Sequence, residues 1–561
     1  MKAPTSTTEQ ATRKLAQWEA MKSTRFNWMI RWDDCARYIS PRKGNILTKY
    51  TPGQDQTINI YDTTAEEALN IFAAGCLTHI VPAGEKWFRF EPKMKNPTED
   101  QKDALSRLSD LAIDLLVSSN FYLGIHEDFL DAGCFGTSCL LGEEGKKAAL
   151  NFTNIPVGTF AIDEDDEGNV DTVAREFKWT ARQAEQKWGR EALGPNVKAA
   201  LDDKNPSMWN KTFTFVHFVE PRKDANYKGG LVAPHIRPVA SIYLCVEDTC
   251  VVDEGGYYSM PYFTSRLLRS NNEVYGRGPG IQTLAEIRLV NAMERDLLIG
   301  VEKMVNPPWL VPDDTSNVID GRPNGITYYD STNPANKPEQ MQLKNRIDLG
   351  EQKTEQKRQR IRRAFYNDLF QLLTNLDEQR REKTAYEVQQ MVAEKLLLFS
   401  PLFARFAVET LNPLLERVVD IMFRSELLPP DLAAALAGVQ YEIVYTSKIA
   451  LAIKAAENQA FATMMTLIEQ AAALDPTIVN IVKWNDGIRR IARNVGLPAA
   501  LIRTDREAAR ITAGQQQAAR AQQQAQTAEL ATRSVKNLGP QAQTAAARKI
   551  IAGAGQPAAA A

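Results

Sequence analysis

The 561-residue sequence contains only four histidines and six cysteines, which limits the metal and redox chemistry open to it. None of the histidines belongs to an HExxH motif or lies at metal-ligand spacing from a cysteine. The cysteines form no CxxC pair, and six in a chain of this length do not indicate a disulfide framework. We therefore expect no metal site, no cofactor, and buried, reduced thiols.

Nucleotide-binding and nucleophilic motifs are also missing. There is no GxxxxGK[ST] and no GxSxG, so neither an ATP-driven motor nor a serine hydrolase is indicated. The acidic run at 163–167 lacks the ligand spacing of a calcium loop and predicts a solvated hairpin tip. The glycines of YGRGPG at 275–280 lack dinucleotide-binding spacing and predict a turn that leads into a helix. We do not expect an enzyme.

The charges are abundant but balanced, with 67 basic and 69 acidic residues and a net charge of -2. A protein that wraps duplex DNA usually has a basic excess, so any contact with DNA should be local or loose. The longest apolar run, Leu432 to Ala437, is far shorter than the ~18 residues of a membrane span, as is the run Leu396 to Phe399. The N-terminal residues have no apolar core of signal type, and we expect a soluble, intracellular protein without a membrane partner.

The hydrophobic pattern predicts an α+β protein that is mainly α. Residues 1–130 have helical periodicity, whereas residues 137–270 alternate as strands do, with a hairpin tip at 167–169. From Pro279 the chain is helical again, apart from a strand at Tyr441 to Tyr445. A Gln- and Ala-rich tail from about 512 predicts a frayed helix followed by disorder.

Two long helices joined by an insert are the most informative feature of the chain. The first should begin at Pro279 and end before Asn306-Pro307-Pro308, with one apolar stripe along ~38 Å. The insert, 305–348, is rich in proline and glycine. The second helix should span 349–374 and run antiparallel to the first, with a basic first half and an apolar second half.

The basic half of the second helix is the main local excess of charge. Residues 353–363 hold six bases and one acid, Glu355. Two interpretations are open: a surface facing phosphate or an acidic partner, and a solvated helix face with ion pairs between subunits. The loop DEQRREK at 377–383 is neutral, so it would hold DNA only weakly. The cluster comprises Lys353, Lys357, Arg358, Arg360, Arg362 and Arg363.

Several segments resemble the portal proteins, or head-to-tail connectors, of short-tailed phages. The resemblance extends over most of 20–510 and is most distinctive in the first two of three segments taken together. These are EVYGRGPGIQTLAEIRLVNAMERDLLIGVEKMVNPPWLV (273–311), DEQRREKTAYEVQQMVAEK (377–395) and YTSKIALAIKAAENQAFATMMTLIEQAAALDP (445–476).

The resemblance implies the portal fold, with wing, stem, clip and crown regions that assemble into a ring. The implied divisions are 1–270 for the N-terminal wing, 271–304 for the first stem helix, 305–348 for the clip, 349–374 for the second stem helix, 375–384 for the tunnel loop, 385–445 for the C-terminal wing, 446–510 for the crown, and 511–561 for a partly disordered tail.

The resemblance also implies a function: a dodecamer at one capsid vertex through which genome DNA is packaged and ejected. Implied partners are major capsid and scaffolding proteins, the large terminase subunit, tail adaptor or nozzle proteins, and double-stranded DNA. The protein would reside in the virion, and in host cytoplasm during assembly. Expected contact residues are Arg380, Arg381 and Lys383 in the tunnel loop, and Trp309, Asp313, Asp314 and Arg322 in the clip.

Two alternatives remain at this point. One is another structural phage ring, such as a tail adaptor or a scaffold-like ring. The other is a nucleic-acid enzyme with an unrecognised carboxylate site, since Asp and Glu are too numerous for sequence alone to exclude one.

Overall fold

The computed structural model shows a mixed α/β chain in which helices predominate, in agreement with the predicted class. The predicted tunnel loop, most of the clip and much of the crown lie outside the residues that it describes. These residues are 7–51, 53–94, 97–145, 148–222, 232–270, 272–310, 332, 339–340, 347–374, 398–425, 427–447, 449–451, 461, 463–470, 487–488, 491–492 and 505–536.

The N-terminal helices pack their apolar faces into one large core. They are α1 (Thr7–Ile39), α2 (Thr64–Ile80), α3 (Glu99–Ser118) and α4 (Phe121–Phe135). Helix α4 is buried along most of its length, and the Trp32 ring N–H of α1 donates to the Phe135 carbonyl at 3.2 Å. Within the described residues no single helix is long and apolar enough to cross a membrane; only α3 and α4 taken together, bent by 78°, reach that length and composition.

The middle of the chain folds into a five-stranded and a three-stranded antiparallel sheet. The strands up to residue 266 are β1 (Phe88–Pro92), β2 (Thr137–Glu144), β3 (Leu150–Asn154), β4 (Phe160–Glu164), β5 (Val170–Thr180), β6 (Thr212–Pro221), β7 (Val239–Cys245), β8 (Cys250–Tyr257) and β9 (Tyr262–Arg266). The larger sheet has the order β4-β5-β6-β7-β8 and the smaller β3-β2-β9. Two short helices, α5 (Ala181–Trp188) and α6 (Pro195–Asp202), lie between β5 and β6.

The strands expected in this region are present, but the sequence analysis missed β3 and β8. Strand β3 has only five residues, two of them asparagine, and β8 contains two acids and two glycines. Both are edge strands, so their composition is less constrained by burial than that of central strands. The predicted hairpin tip at 167–169 is confirmed, with Gly168 at φ +84° and the Asp165 amide bonded to the Asn169 carbonyl.

Glycines at 275–280 form the turn into helix α7 (Pro279–Val305), as the sequence predicted. A Cβ on Gly278 would lie 2.6 Å from the carbonyl oxygen of Ala132, and one on Gly280 would lie 2.3 Å from that of Cys134. The start of α7 therefore touches the backbone at the end of α4, and only glycine permits so close an approach. This contact anchors α7 to the helical core.

The later part of the chain returns to the N-terminal region. Strand β12 (Tyr441–Tyr445) pairs with β1, and the buried Arg266 of β9 binds Glu409 of a short π-helix (Ala407–Leu411) at 2.9 Å. Further elements are β10 (Trp309–Leu310), β11 (Glu339–Gln340), α8 (Ile347–Ala364), α9 (Asn367–Thr374), the helical residues 398–406, α10 (Asn412–Arg424), α11 (Pro430–Leu436), the helical residues 463–470 and α12 (Asp505–Lys536).

Helix α12 covers the Gln- and Ala-rich segment, for which the sequence predicted a frayed helix. It has 32 residues, which corresponds to ~48 Å at about 1.5 Å per residue. All of its described side chains, at 510–511 and 513–527, are exposed. The predicted disorder beyond it falls on residues that the structure does not describe.

Candidate functional site: a pair of antiparallel helices

Helices α7 and α8 lie side by side and run in opposite directions. A Cβ on Gly300 would lie 4.0 Å from Cδ1 of Ile347, and one on Gly350 would lie 2.6 Å from Cδ2 of Leu297. Further along, Lys357 pairs with Glu286. Later residues of α8 thus contact earlier residues of α7, which confirms the predicted antiparallel arrangement.

Ion pairs connect α8 to α7 and to the segment that precedes α2. The Arg358 guanidinium is shared between Asp62, with Nε 2.7 Å from Oδ2, and Glu294, with Nη2 2.9 Å from Oε2. Lys357 Nζ lies 3.0 Å from Oε1 of Glu286, and Arg360 lies 3.4 Å from the same oxygen. Asp62 also accepts the amide of Thr64 at the start of α2, so one carboxylate joins α2 and α8.

The pKa values follow from these contacts. The hydrogen bond from Lys357, together with its charge and that of Arg360, lowers the pKa of Glu286 despite slight burial. Partial burial alone would lower the pKa of Arg358, but the hydrogen bond and charge of Asp62 and the charge of Glu294 outweigh it, and the pKa is raised. Both shifts favour the charged forms of Glu286 and Arg358 at neutral pH.

Five of the six residues in the predicted basic cluster thus lie close to acids of the same chain. Arg362 lies 3.3 Å from Glu355, and Arg363 lies 3.7 Å from Asp368 of α9. Lys353 is exposed and has no ion pair among the described residues. A surface that faces phosphate or an acidic partner stays a prediction, with its charge reduced by these contacts.

Sequence reasoning missed the acids opposite the cluster, although a signal for them was present. Glu286 and Glu294 are eight residues apart on α7, close to two helical turns, and so lie on one face. In an antiparallel pair that face meets the basic half of α8. Counting the bases of α8 alone overstated the positive charge available to a partner, because the count left out the acidic residues of α7.

The expectation of one continuous helix over 349–374 was wrong. The chain breaks between α8 and α9, where Tyr366 adopts φ +58°. The break lets Phe365 and Phe370 both pack against Phe72 of α2, with ring centroids 6.5 and 6.1 Å away. Burial of these rings offsets the ~1 kcal/mol or more of a left-handed non-glycine residue.

The far half of α7 exposes apolar side chains on the single chain. Relative exposures are 52% for Leu298, 42% for Val301, 49% for Met304 and 72% for Val305. Leu349 of α8 is 47% exposed beside them. The predicted apolar stripe is therefore buried at Ile287 and Val290 and exposed at Val301 and Met304.

The other predicted contact residues lie mostly outside the described residues. Trp309 is described: it is 41% exposed and pairs with Gln340 across the two-residue strands β10 and β11. Residues that fall outside are Asp313, Asp314 and Arg322 of the predicted clip, and Arg380, Arg381 and Lys383 of the predicted tunnel loop.

A serine–histidine pair occurs in the five-stranded sheet but belongs to the protein core. His217 Nε2 lies 2.9 Å from Ser241 Oγ, and Nδ1 lies 2.7 Å from the Tyr262 hydroxyl. Burial lowers the pKa of His217 well below its usual range, and Ser241 is only 5% exposed. No substrate reaches this pair. Among the described residues no cluster of metal-ligating side chains occurs.

Comparison with known proteins agrees with the resemblance read from the sequence. A family model described as bacteriophage head to tail connecting protein matches residues 11–502. A probable portal protein of Bordetella phage BPP-1 is 27% identical over 526 residues, which cover 91% of this chain and 93% of that protein. A portal protein of Salmonella phage epsilon15 is 26% identical over 505 residues, or 87% and 88% of the two chains. The chain therefore belongs to the family of bacteriophage head-to-tail connecting proteins.

Proposed function

We propose that this protein is a portal protein: a non-enzymatic ring at one capsid vertex that joins head to tail and surrounds the DNA channel. The relatives' portal role and the family match over residues 11–502 support this proposal. The structural observation that best supports the proposal is the α7–α8 helix pair. This pair is anchored to the core at one end, has its charges matched internally, and exposes apolar side chains at the other end.

The uncovered apolar end of the pair fits contact between neighbouring subunits. A ring is a heterologous interface that closes by rotation, so each subunit presents one face to the next. Leu298, Val301, Met304 and Val305 together form an apolar patch that a solitary soluble chain rarely leaves exposed. A dozen subunits in the ring is the copy number that the portal family implies.

A channel lining should let DNA slide, and the helix pair has charges suited to that. Helices α7 and α8 together carry nine basic and seven acidic residues, and most bases of α8 already have acidic partners. Few phosphates would be neutralised per subunit, so any affinity for DNA should depend only weakly on salt. Lys353 is the described residue of the cluster that remains available for phosphate.

The regional assignments are part of the same proposal. The wing comprises 1–270 and 385–445, and the pairing of β1 with β12 supports treating these segments as one body. The stem comprises 271–304 and 349–374, the clip 305–348, the tunnel loop 375–384 and the crown 446–510. Arg380, Arg381 and Lys383 would contact DNA as it passes.

The clip would contact the packaging motor, through the large terminase subunit, and later the tail adaptor or nozzle proteins. Trp309, at 41% exposure within this segment, is the described residue best placed to contribute apolar area. Asp313, Asp314 and Arg322 would add charged contacts. Capsid and scaffolding proteins would meet the wing, first in host cytoplasm and then in the virion.

Deletion of the clip separates assembly from packaging. Replacing 310–340 by a short Gly/Ser linker should leave rings intact in negative-stain images and abolish DNA filling of heads. A matched variant, Arg380→Glu with Arg381→Glu, should still assemble and package but retain DNA less well. Loss of rings in the deletion would show that the insert is an assembly element, and normal filling would contradict the proposed docking role.

A further inference from the structure

Two cysteines face each other at the end of the β7–β8 hairpin. The strand register places Cys245 directly opposite Cys250, with only residues 246–249 between them. Directly paired antiparallel residues have Cα atoms roughly 4.5–5.5 Å apart. Disulfides need Cα atoms at about 4.4–6.8 Å, so the backbone already satisfies this requirement. Both thiols are free in this structure.

The connecting turn is fixed on two sides, which holds the cysteines in register. The Val246 amide donates to the Thr214 carbonyl of β6 at 3.0 Å, and the Thr214 amide donates to the Glu247 carboxylate at 2.8 Å. On the other side, Asp248 accepts the Asn196 amide of α6 at 2.9 Å. A held turn keeps two thiols at a high effective concentration.

The two thiols differ in access. Cys245 is buried, whereas Cys250 is half-buried on the edge strand of the sheet. Burial, with a smaller effect of the Asp248 charge, raises the pKa of Cys250; burial and the nearby acids raise the pKa of Cys245 to about 12. Cys250 is the thiol that meets an oxidant first, and reaction at neutral pH is slow because little thiolate is present.

We propose that Cys245 and Cys250 form a reversible intrachain disulfide when the folded protein meets a low-molecular-weight disulfide such as oxidised glutathione. The Cys250 thiolate attacks a glutathione sulfur, forms a mixed disulfide and releases one glutathione thiolate. The Cys245 thiolate then attacks the Cys250 sulfur and releases the second glutathione. Each released thiolate takes up one of the two protons lost by the cysteines. The protein loses two electrons, and glutathione disulfide gains them.

Peptide mapping of the folded full-length protein tests this pair directly. The protein is incubated with oxidised glutathione at pH 8.5, where thiolate is more abundant, then denatured, alkylated and digested with trypsin. Both cysteines lie in the tryptic peptide 229–266, because Arg237 precedes a proline. We expect this peptide to carry no alkyl group and to be ~2 Da lighter than the reduced form. Reduction before alkylation should restore two labels.

The chain supplies a matched internal control. Cys134 and Cys139 have the same sequence spacing and share one tryptic peptide, but they are fully buried and are not strand partners. They should keep two labels in the same digest. In Cys250→Ser, the remaining Cys245 should be alkylated as a free thiol.

Three results would overturn the proposal. These are two labels on 229–266 after prolonged oxidation, a stable glutathione adduct on Cys250 with Cys245 still free, and cysteine-dependent dimers on a non-reducing gel. The first would show that the pair does not react in the folded chain, the second that its geometry forbids closure, and the third that pairing is between chains.

Discussion

Asp128 shows, at the scale of one residue, how burial ties stability to pH. Its side chain is fully buried in α4, and burial raises the pKa of the carboxyl to about 8, with a smaller opposing effect from the Ser138 hydroxyl. The folded protein therefore binds this proton more tightly than the unfolded chain, in which the pKa is about 4. The stability contributed by this group is complete below that value and is lost as pH rises toward 8.

The substitution Asp128→Asn removes this titration at nearly constant volume. We expect the variant to gain Tm relative to the native protein as pH rises from 5 to 9, by roughly 1 °C per kcal/mol in a chain of 561 residues. Thermal unfolding at pH 5, 7 and 9 measures it. The control is Asp103→Asn on an exposed position of α3, which should show no such trend. A Tm difference that is the same at all three pH values would contradict the assignment.

At the scale of elements, Arg358 is the residue that joins three segments. Its side chain is 26% exposed and contacts Asp62 and Glu294, whereas Arg360 is 63% exposed. Arg358→Ala leaves the carboxylates of Asp62 and Glu294 without their cationic partner in a partly buried site and should cost about 1–3 kcal/mol of unfolding free energy. Arg360→Ala should change it by less than about 0.5 kcal/mol. Equal losses in denaturant unfolding would show that the ion pairs of Arg358 and Arg360 act only through surface charge.

Two glycines of the helix pair should differ in how much stability is lost when each is replaced by alanine. A Cβ at Gly280 would lie 2.3 Å from a backbone oxygen, while one at Gly350 would meet the flexible end of Leu297 at 2.6 Å. Gly280→Ala should destabilise the protein by about 2 kcal/mol or more, because the backbone must move. Gly350→Ala should be within about 1 kcal/mol of neutral, since helix propensity compensates. Denaturant unfolding of the two variants measures these losses. A larger loss for Gly350→Ala than for Gly280→Ala would mean that α7 is not anchored at α4.

Element positions were predictable where burial repeats regularly. The apolar stripe from Ile281 to Met304 predicted α7, and alternation predicted β5 and β6. The break at Tyr366 was not predictable, because it depends on Phe365 and Phe370 meeting α2, almost 300 residues earlier in the chain. The partners of Arg358 were hidden for the same reason: Asp62 comes from another segment, and local charge counts do not include it.

At the scale of the whole molecule, the single chain leaves surface that a ring would cover. The far end of α7 and the described side chains of α12, at 510–511 and 513–527, are exposed, so burial does little to stabilise them in the single chain. The functional interpretation rests on the order of helices, insert and loop along the chain, and not on any reactive residue. The balanced composition argued against a basic protein that wraps DNA, but it could not give the number of subunits in a ring.

Imaging of the purified full-length protein tests the central claim most directly. We expect negative-stain class averages, with mass measured in parallel, to show closed rings of about a dozen subunits around a central channel. A substitution of Val301 and Met304 by aspartate should shift particles toward smaller species while the chain stays folded. A native protein that remains monomeric at micromolar concentration and cleaves DNA in the presence of a divalent metal would contradict the account.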